Sequence, residues 1–514
     1  MRAVDLGAWV APAEHEHSML GPARFRFLGR SGDLADHGWD DPTLELLWRY
    51  NIHYFADLTA EGAASRADWH RDLLTRWVNE NPPAQGTGWE PFPTSLRIVN
   101  WIKWVFAGNE LSSDCVHSLA VQTRWLARRL ERHLLGNHLF ANAKALIFAG
   151  SFFEGPEAST WTAIGAAILK KEIPEQILPD GGHFERSTMY HALALEDVLD
   201  LCNLASVVKS SPDSEVARIA DACRSRVAEM RRWLSVMSHP DGEISFFNDA
   251  AFGVAPSPAA LESYAVRLGF PSAIPAPVGV TSLPYSGYAR LASTSSVAII
   301  DVARVAPDYL PSHAHADTLS FELSLFGHRV IVNSGTSLYG VSEERVRQRG
   351  TAAHNTVVLD GVDSSEVWSG FRVGHRAVPF GVRFGSSSGA EIEASHDGYR
   401  RLPGAPVHRR QWTLDGDALT IADEIIGRFR RAESRLHLHP AVSIAAVSDS
   451  GAAERIVLRL LDGQSVTICI TGGALHVESS TWHPRFGESV ATSCVVARFA
   501  GPALRTVLAW GAAP

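Results

Sequence analysis

The sequence predicts two packed domains, an all-α domain followed by an antiparallel β-sandwich. From about residue 40 to 270 the apolar residues recur every three or four positions, which is the period of amphipathic helices. Beyond residue 285 the period falls to two, which is typical of strands. Residues 269–284, between the two regions, are dense in proline and glycine and poor in charge. Helices that precede the strands, instead of alternating with them, exclude a doubly wound α/β fold.

The N-terminal residues 1–39 are treated as an extension, and residues 40–270 as the helical domain. In "SEVARIADACRSRVAEMRRWLSVM" the apolar residues fall at spacings of three and four, and Ser214 is placed to cap the helix. Residues 271–284 form the predicted linker. Residues 285–514 form the predicted sandwich, since "SVAIIDVARV", "HRVIVNSG" and "RQWTLDGDALTIADEI" alternate and are separated by glycine-containing turns.

Composition excludes several classes of function. A chain of 514 residues with 46% hydrophobic and 20% charged residues is typical of a multidomain globular protein. The net charge of −9, without a basic stripe, disfavours binding to nucleic acid or to an anionic membrane. No apolar run is long enough to span a bilayer. The N-terminus does not resemble a secretory signal, so we expect a cytoplasmic protein, or a periplasmic or secreted one if a leader has been removed.

The cysteines indicate neither a disulfide framework nor a zinc knuckle. The chain contains five, which are scattered and never form a C-x-x-C pair. We therefore expect buried free thiols.

Three stretches of the helical half carry polar groups that helix formation does not require. They are "GTGWEPFPTSLRIVNWIKW", "GNHLFANAKALIFAGSFF" and "LPDGGHFERSTMYH". Asn137 and His138 precede an apolar helix, so capping by Asn137 is the simple structural interpretation. Tyr190 has an equally simple one, a core tyrosine whose hydroxyl finds a partner.

In the β half, histidines stand where apolar strands begin. "LPSHAHADTLSFELSLFGHRVIVNSGT" contains His313 and His315, and "RVRQRGTAAHNTVVLDG" contains His354. An H-x-H pair on a regular strand would direct both imidazoles to one face, and His354 could lie beside them. Such a cluster can hold a metal ion through imidazole nitrogens.

Taken together and in this order, these stretches resemble the heparinase II/III-like polysaccharide lyases, a family that includes related alginate lyases. The resemblance covers most of the chain, from "LWRYNIHYFADL" to "AAHNTVVLDG". It implies an incomplete (α/α) toroid joined to an antiparallel β-sandwich, with the active site in the groove between them. It also implies cleavage of a uronate-containing polysaccharide by β-elimination, which leaves a 4,5-unsaturated uronate end.

The resemblance implies four catalytic residues. Asn137 and His138 match the motif that faces the substrate carboxylate. Tyr190 matches the tyrosine that protonates the leaving oxygen and, in syn elimination, also takes the C5 proton. Because a free phenol has a pKa of about 10, nearby cations would have to make it a base. His313 matches the second acid/base residue, and we expect it to approach Tyr190 from the other domain.

The resemblance also implies metal ligands. His315 and His354 match ligands of a structural metal, usually zinc, but Asn333 stands where the family has an aspartate. A neutral amide is a weaker ligand than a carboxylate, so we predict a weakened zinc site or a metal-free cluster. No organic cofactor is expected. Since His313 and His315 then have separate roles, their segment should be a loop or bulge that becomes regular only near Leu319.

Eight further residues are predicted to line the substrate groove, where aromatic rings stack on sugars and arginines pair with carboxylates or sulfates. Loop packing is an equal alternative for Trp89 and Arg97, and Glu185 could instead orient Tyr190 or His183. The expected partner is an anionic polysaccharide or oligosaccharide, and a homodimer stays open. The eight residues are Trp89, Arg97, Asn100, His183, Glu185, Arg186, Tyr339 and Arg349.

Two other functions compete with the lyase. A glycoside hydrolase on an (α/α) toroid would need two carboxylates, which Asp180 with Asp241 or Asp249 could supply. A non-catalytic polysaccharide-binding or assembly protein could retain the same scaffold. The Asn-His, Tyr and His set favours the lyase. The sequence does not decide between a glycosaminoglycan, alginate and a bacterial exopolysaccharide, nor between internal and terminal cleavage.

Overall fold

The chain forms two compact units in a computed structural model that describes residues 5–208, 211, 213–305, 307–385, 390–449 and 454–510. Unit 1 comprises the chain up to Gly181 with Ala192–Arg231 and Gly253–Ala273. Unit 2 comprises Gly182–His191, Arg232–Phe252 and the chain from Ile274 onward. The predicted order, a helical region followed by antiparallel sheets, is confirmed. The units differ from the predicted boundaries because two segments of the helical half pack with the sheets.

The helices end close to where the apolar period changes. Ser214 caps α9, since its hydroxyl accepts the N–H of Ala217 at 3.2 Å, as the sequence predicted. None of the helices in the described ranges is both long and apolar enough to cross a bilayer. The helices are α1 (Leu34–His37), α2 (Leu46–Tyr54), α3 (Ala67–Glu80), α4 (Pro91–Phe106), α5 (Ser113–Ala127), α6 (Gly136–Phe152), α7 (Pro156–Gln176), α8 (Thr188–Val207), α9 (Glu215–Val236), α10 (Pro258–Arg267) and α11 (Glu343–Arg349).

Unit 1 is held together by helices that pack against near neighbours in the chain. Helix α4 packs against α2, α5 and α6, and α6 packs against α7. Their core contains large aromatic rings. The Trp77 ring lies 5.7 Å from that of Trp101 and 5.6 Å from that of Trp89, and all three side chains are buried. Aromatic burial of this size is the main source of cohesion between these helices.

In the described part of unit 2 there are three larger antiparallel sheets and the two-stranded sheet of β9 and β10. The five-stranded sheet has the order β3-β4-β5-β6-β7, the four-stranded sheet β19-β20-β15-β8, and the eight-stranded sheet β11-β12-β13-β14-β21-β18-β17-β16. The strands are β3 (Gly279–Leu283), β4 (Tyr288–Ala292), β5 (Ser296–Asp301), β6 (Phe321–Leu325), β7 (His328–Ile331), β8 (Val357–Leu359), β9 (Val367–Trp368), β10 (Arg372–Val373), β11 (Pro379–Gly385), β12 (Ala390–His396), β13 (Val407–Asp415), β14 (Ala418–Ile426), β15 (Ala432–His437), β16 (Ser443–Asp449), β17 (Glu454–Arg459), β18 (Ser465–Thr471), β19 (Ala474–Trp482), β20 (Val490–Phe499) and β21 (Ala503–Ala509), while β1 (Arg24–Phe27) and β2 (Arg30–Asp33) form a hairpin in unit 1.

One apolar core joins the three sheets. It includes Leu291 and Phe321 from the five-stranded sheet, Trp412 and Ile468 from the eight-stranded sheet, and Val495 from the four-stranded sheet. Strands β12, β13 and β14 alternate between buried and more exposed residues, as the period of two predicted, whereas β4, β5 and β6 are buried on both faces. The second half of the predicted linker is strand β3. The five cysteines are free thiols, as predicted, and four of them are buried.

The histidine segment is irregular, as the sequence predicted. Residues 311–320 form turns and bends, and β6 begins only at Phe321. Leu319 adopts a left-handed φ of 63°, a conformation that interrupts extended backbone. Because His313 and His315 precede the strand, their imidazoles are not bound to one face of a sheet.

Candidate active site

Tyr190 and His313 lie in contact within unit 2. Tyr190 stands in the first turn of α8, where its N–H donates to the Ser187 hydroxyl at 3.2 Å. Its ring centroid lies 4.1 Å from that of His313, and its hydroxyl lies 2.9 Å from that of Tyr339. The structure corrects the expectation that Tyr190 and His313 come from different domains, because residues 182–191 belong to unit 2.

Asp249 is the centre of the polar cluster. Its fully buried carboxylate lies 2.9 Å from His313 Nδ1 and 2.9 Å from His315 Nε2. It also receives both terminal nitrogens of Arg345, with Nη2 at 2.7 Å, and the hydroxyl of Thr336 at 3.2 Å. Although burial acts to raise the pKa of Asp249, Arg345 and the two histidines hold that pKa well below its usual range. Asp249 is therefore a permanent anion in the fold.

The anion fixes the protonation pattern of His313. Because Nδ1 faces the Asp249 carboxylate, Nδ1 carries the hydrogen and Nε2 of the neutral ring has the lone pair. Nε2 lies 3.7 Å from an oxygen of Glu185, and the imidazole is 13% exposed. A proton that arrives at Nε2 would create an imidazolium flanked by two carboxylates.

Tyr190 has the opposite character. Burial raises the pKa of Tyr190 well above that of a free phenol, and the acidic groups of Tyr339 and Asp249 raise it further. Nothing in this described surrounding makes Tyr190 a base in the free protein. Tyr190 keeps its proton and is a donor.

Asn248 aligns the backbone around this cluster. It adopts a left-handed φ of 56°, which asparagine tolerates better than most residues. Its side-chain oxygen accepts the N–H of His315 at 3.1 Å, and its Nδ2 donates to the carbonyl of Arg186 at 3.0 Å. Its own N–H donates to Asp317 at 3.0 Å. One residue thus fixes the segment before α8 and the histidine segment together.

His315 and His354 lie in a group that fits a metal ion. His315 Nδ1 lies 3.2 Å from His354 Nε2, close to the spacing of about 3.3 Å expected for two nitrogens on one tetrahedral zinc. Since Nε2 of His315 faces Asp249, Nδ1 presents its lone pair. Ligand atoms of His315, Asp317 and His354 all lie within 4.8 Å of one another, and all three residues are buried.

The third residue differs from the sequence prediction. Asn333 was expected to complete the set, but its side-chain oxygen accepts two hydrogen bonds from Asn355, both at 3.2 Å. Its Nδ2 donates to the carbonyl of Phe246 at 2.9 Å. These bonds occupy both lone pairs of the amide oxygen. Asp317 brings a carboxylate to the two histidines in its place.

Asn137 and His138 belong to unit 1. Helix α6 begins at Gly136, and its N-cap is Leu135, without a side-chain cap bond, so the capping interpretation of Asn137 is wrong. The His138 ring stacks on Phe92 at 4.3 Å, and its Nδ1 lies 3.0 Å from Glu131. The Glu131 carboxylate orients the imidazole of His138. Asn137 and His138 are both partly exposed.

The other three predicted groove residues of unit 1 support its fold. Arg97 is fully buried, donates to Gln122 Oε1 at 2.9 Å and stacks on Trp77 at 3.9 Å. Trp89 is buried in the aromatic core described above. Asn100 donates to the carbonyl of Tyr54 at 2.8 Å. Loop and core packing, the alternative for Trp89 and Arg97, describes these placements better than substrate contact does.

In unit 2 the predicted groove residues divide into two groups. Tyr339 and Arg186 are partly exposed, and Arg186 donates to the carbonyls of Ser286 at 3.0 Å and Arg304 at 2.9 Å. His183, Glu185 and Arg349 are buried. Burial lowers the pKa of His183 to about 3, so that ring is neutral. The sequence predicted that Glu185 orients Tyr190 or His183. In the structure an oxygen of Glu185 also lies 3.7 Å from Nε2 of His313, a contact that was not predicted.

Sequence reasoning missed three residues of the cluster. Asp249 was weighed only as a hydrolase acid, and Arg345 and Asp317 were not assigned roles. The signals were present, since Asn248 and Asp249 follow two buried phenylalanines and Arg345 precedes Arg349 by one helical turn. What the sequence lacked was the long-range contact between residues 249, 313 and 345.

Two family profiles match most of this chain. Profiles described as "Heparinase II/III N-terminus" and "Heparinase II/III-like, C-terminal" match residues 59–265 and 275–511. A heparin-sulfate lyase of Bacteroides stercoris is 24% identical over 353 residues, which cover 65% of this chain and 50% of that protein. The match therefore spans about half of that relative's length.

Solved structures share the fold. Heparinase III superposes with a TM-score of 0.69 at 16% identity, covering 90% of this chain and 76% of that one. A heparan sulfate lyase mutant from Pedobacter heparinus superposes with a TM-score of 0.66 at 17% identity, covering 96% of this chain and 82% of that one. At such identities the likeness concerns the fold alone.

Proposed function

This chain belongs to the heparinase II/III-like family, and we propose that it is a polysaccharide lyase that cleaves a uronate-containing polysaccharide by β-elimination. The observation that carries the proposal is the contact between Tyr190 and His313, with Asp249 bonded to the imidazole. A protonated phenol beside an imidazole with a free lone pair is a donor and acceptor pair. Elimination requires both.

The reaction makes three demands on a protein. A proton must leave C5 of the uronate, although the adjacent carboxylate makes it poorly acidic. The bond between C4 and its oxygen must break, and that oxygen must gain a proton. The negative charge that develops on the carboxylate must be stabilised.

We assign the first two tasks to separate residues. His313 Nε2 takes the C5 proton, and the resulting imidazolium is stabilised by Asp249 and Glu185. Tyr190 donates its proton to the leaving oxygen, because its raised pKa keeps it protonated until that oxygen carries charge. The electron pair of the C5–H bond becomes the C4–C5 double bond. Tyr190 recovers a proton from solvent or His313 after the product leaves.

Asn137 and His138 are our candidates for the third task. Both are partly exposed at the start of α6, and an amide and an imidazole are suitable hydrogen-bond donors to a carboxylate. Glu131 contacts Nδ1 of His138, so the other ring nitrogen, Nε2, is the one that can donate to a substrate carboxylate.

We also propose a structural zinc ion, held by His315, His354 and Asp317. Two imidazole nitrogens and a carboxylate are zinc ligands, and the carboxylate of Asp317 supplies the acidic ligand that Asn333 lacks. Bound zinc would supply positive charge and would hold His315 against Asp249. The proton transfers above involve His313 and Tyr190 alone.

The geometry disfavours a glycoside hydrolase. Such an enzyme needs a carboxyl group that holds its proton, with a raised pKa. Asp249 is held ionised by Arg345, and Asp241 is bonded to Arg329, whose charge and hydrogen bond lower the pKa of Asp241 despite its burial. Neither Asp241 nor Asp249, the two alternative partners of Asp180, can therefore be the acid of such a pair.

The test is a panel of polymers read by ultraviolet absorbance. Since the relatives' printed names are heparin-sulfate lyases, heparin-like glycosaminoglycans come first, followed by other glycosaminoglycans, alginate and bacterial exopolysaccharides. A lyase produces new absorbance from the unsaturated uronate. A hydrolase produces reducing ends without absorbance, and a binding protein produces neither while still retaining polymer.

A further inference from the structure

A short hairpin beside the catalytic pair carries exposed aromatic and basic side chains. In the antiparallel pairing of β9 and β10, Arg372 lies opposite Trp368 and Val373 lies opposite Val367. Two backbone bonds of Glu366 extend the pairing, to Gly374 at 2.7 Å and to His375 at 2.8 Å. The segment belongs to unit 2.

Two buried arginines fasten this hairpin to the histidine segment. The carbonyl of Gly370, at the hairpin turn, accepts Nε of Arg345 at 3.0 Å and Nη1 of Arg349 at 3.2 Å. Arg349 also donates from Nε and Nη2 to the carbonyl of Ala314, at 3.1 and 3.0 Å. Val373 packs against Ala314 and Val305. The hairpin is therefore built onto the residue that follows His313.

The outer side of the hairpin is open to solvent. Trp368 is 56% exposed, Phe371 is 39% exposed, and Arg372 is also exposed. The Phe371 ring lies 5.9 Å from the His313 ring and 5.4 Å from the Tyr339 ring. Exposed aromatic side chains have an unfavourable solvation free energy, and a ligand that covers them removes this cost. Because the Phe371 and His313 rings are 5.9 Å apart, a ligand bound at His313 is within reach of Phe371.

We propose that this hairpin is a substrate-binding subsite of the lyase. Phe371 stacks on a sugar ring next to the residue that reacts at His313, and Arg372 pairs with a carboxylate or sulfate of the chain. Residues that face each other across an antiparallel pair point to the same side, so Trp368 adds a second stacking surface beside Arg372. The inference rests on the proposed function and assigns it residues that no sequence motif indicated.

The chain offers matched controls for a test. Phe380 is 41% exposed on the edge strand β11, where its ring contacts Arg400, and Arg383 on the same strand is exposed. We would compare Phe371→Leu and Arg372→Gln with Phe380→Leu and Arg383→Gln. The readouts are kcat and KM on uronate oligosaccharides of increasing length, and migration in gels that contain the polymer.

We expect KM for long substrates to rise about 5- to 10-fold in each hairpin variant, and less for the shortest cleaved oligosaccharide. The control variants should keep the wild-type KM. Phe371→Trp should bind like the wild type, because it retains a stacking face. A hairpin that only supports His313 would instead lower kcat equally at every length.

Two results would overturn the inference. One is equal KM values for hairpin and control variants on long substrates. The other is a uniform loss of kcat without any dependence on length. The gel measurement does not depend on turnover. A wild type that is retarded by the polymer through the hairpin, yet yields no unsaturated product, would therefore contradict the proposed lyase reaction and leave the subsite intact.

Discussion

The two units use buried polar residues for different purposes. In unit 1 they close on each other. Lys144 and Lys103 both contact the carboxylate of Asp200, which is fully buried. In unit 2 one cluster of buried polar residues converges on Asp249 and ends at the partly exposed imidazole of His313.

This difference separates structural from chemical polarity. A buried charge that pairs with an equally buried partner fixes helices but presents nothing to a ligand. A chain of bonds that ends at a partly exposed nitrogen also fixes the fold, and it sets the protonation of an atom that a substrate can reach. Both clusters consist of buried, charged side chains. They differ in whether their hydrogen bonds end at an atom that a substrate can reach.

The strongest test of the comparison is Tyr190→Phe. Removing the proton donor should lower turnover about 10³-fold, because general acid catalysis has contributions of that order. The free energy of unfolding should change by about 1 kcal/mol, since one hydroxyl contact with Tyr339 is lost. Ultraviolet absorbance measures the turnover, and urea titration measures the stability.

Tyr399→Phe is the matched control. Tyr399 is fully buried in unit 2, and its hydroxyl donates to the carbonyl of Val357 at 2.6 Å. Its loss should cost stability without affecting turnover. Equal turnover of Tyr190→Phe and the wild type would refute the mechanism.

Asp249→Asn should have the next largest effect. It removes the partner of the buried Arg345 and leaves an uncompensated charge, which costs about 3–5 kcal/mol. It also frees the His313 ring, and loss of such an orienting group costs about 10- to 100-fold in activity. Turnover should be expressed per folded molecule, with the folded fraction taken from circular dichroism.

Asp423→Asn offers the same disruption elsewhere in unit 2. Asp423 is buried and accepts His408 Nε2 at 2.8 Å and Arg410 Nε at 2.6 Å. Its replacement should destabilise the protein to a similar extent while turnover per folded molecule stays at the wild-type value. If both variants lose turnover equally, Asp249 has only a structural role.

The third prediction concerns zinc. Asp317→Asn should weaken zinc binding about 10- to 100-fold if Asp317 is the acidic ligand. Metal content after dialysis against a weak chelator, measured by elemental analysis, checks this directly. Asn333→Asp is the informative comparison. If Asn333→Asp retained more zinc than the wild type and Asp317→Asn lost none, residue 333 and not Asp317 would be the ligand.

Much of the fold could be predicted, but only part of the site. The helical and strand periods are local, so the order of helices and sheets followed from the sequence. The loop character of the His313 segment also followed, because one strand face could not serve two roles. The role of Asp249 depends on contacts with residues 64 and 96 positions away, His313 and Arg345, and no local pattern encodes such contacts.

Arg97 is a residue to which the sequence assigned a functional role that the structure does not support. Its motif predicted a substrate contact, yet its donors are taken by Gln122 and the carbonyl of His53. An arginine that stacks on an aromatic core and one that binds a sulfate have the same sequence signature. Only the structure of unit 1 separates them.

Arg97→Met tests that correction. We expect a loss of about 2–3 kcal/mol in the free energy of unfolding, because buried acceptors lose their donors. KM for the polymer should remain at the wild-type value, measured below the unfolding temperature. A selective rise in KM, with stability unchanged, would restore Arg97 to the substrate site.

The last prediction is a difference in acid sensitivity between the units. Burial lowers the pKa of His183 to about 3 and that of His437 to about 4, whereas these imidazoles take up protons near pH 6.5 when unfolded. Below pH 6.5 only the unfolded form binds these protons, so each such histidine removes about 1.4 kcal/mol per pH unit until its folded pKa is reached. The loss begins below pH 6.5 and ends at about pH 4 for His437 and about pH 3 for His183.

In unit 1 burial lowers the pKa of His53 to about 3 in the same way, but unit 2 contains several such histidines. Asp57 of unit 1 resists acid further, because hydrogen bonds from His70, Arg66 and the backbone, which outweigh its burial, lower its pKa to about 2. Its contribution is present above pH 3.8 and is lost only as the pH falls towards 2. Hydrogen exchange measured by mass spectrometry at pH 7, 6 and 5 should therefore show peptides of unit 2 losing protection first. Earlier loss in unit 1 would mean that its paired charges, rather than the neutral histidines of unit 2, limit stability in weak acid.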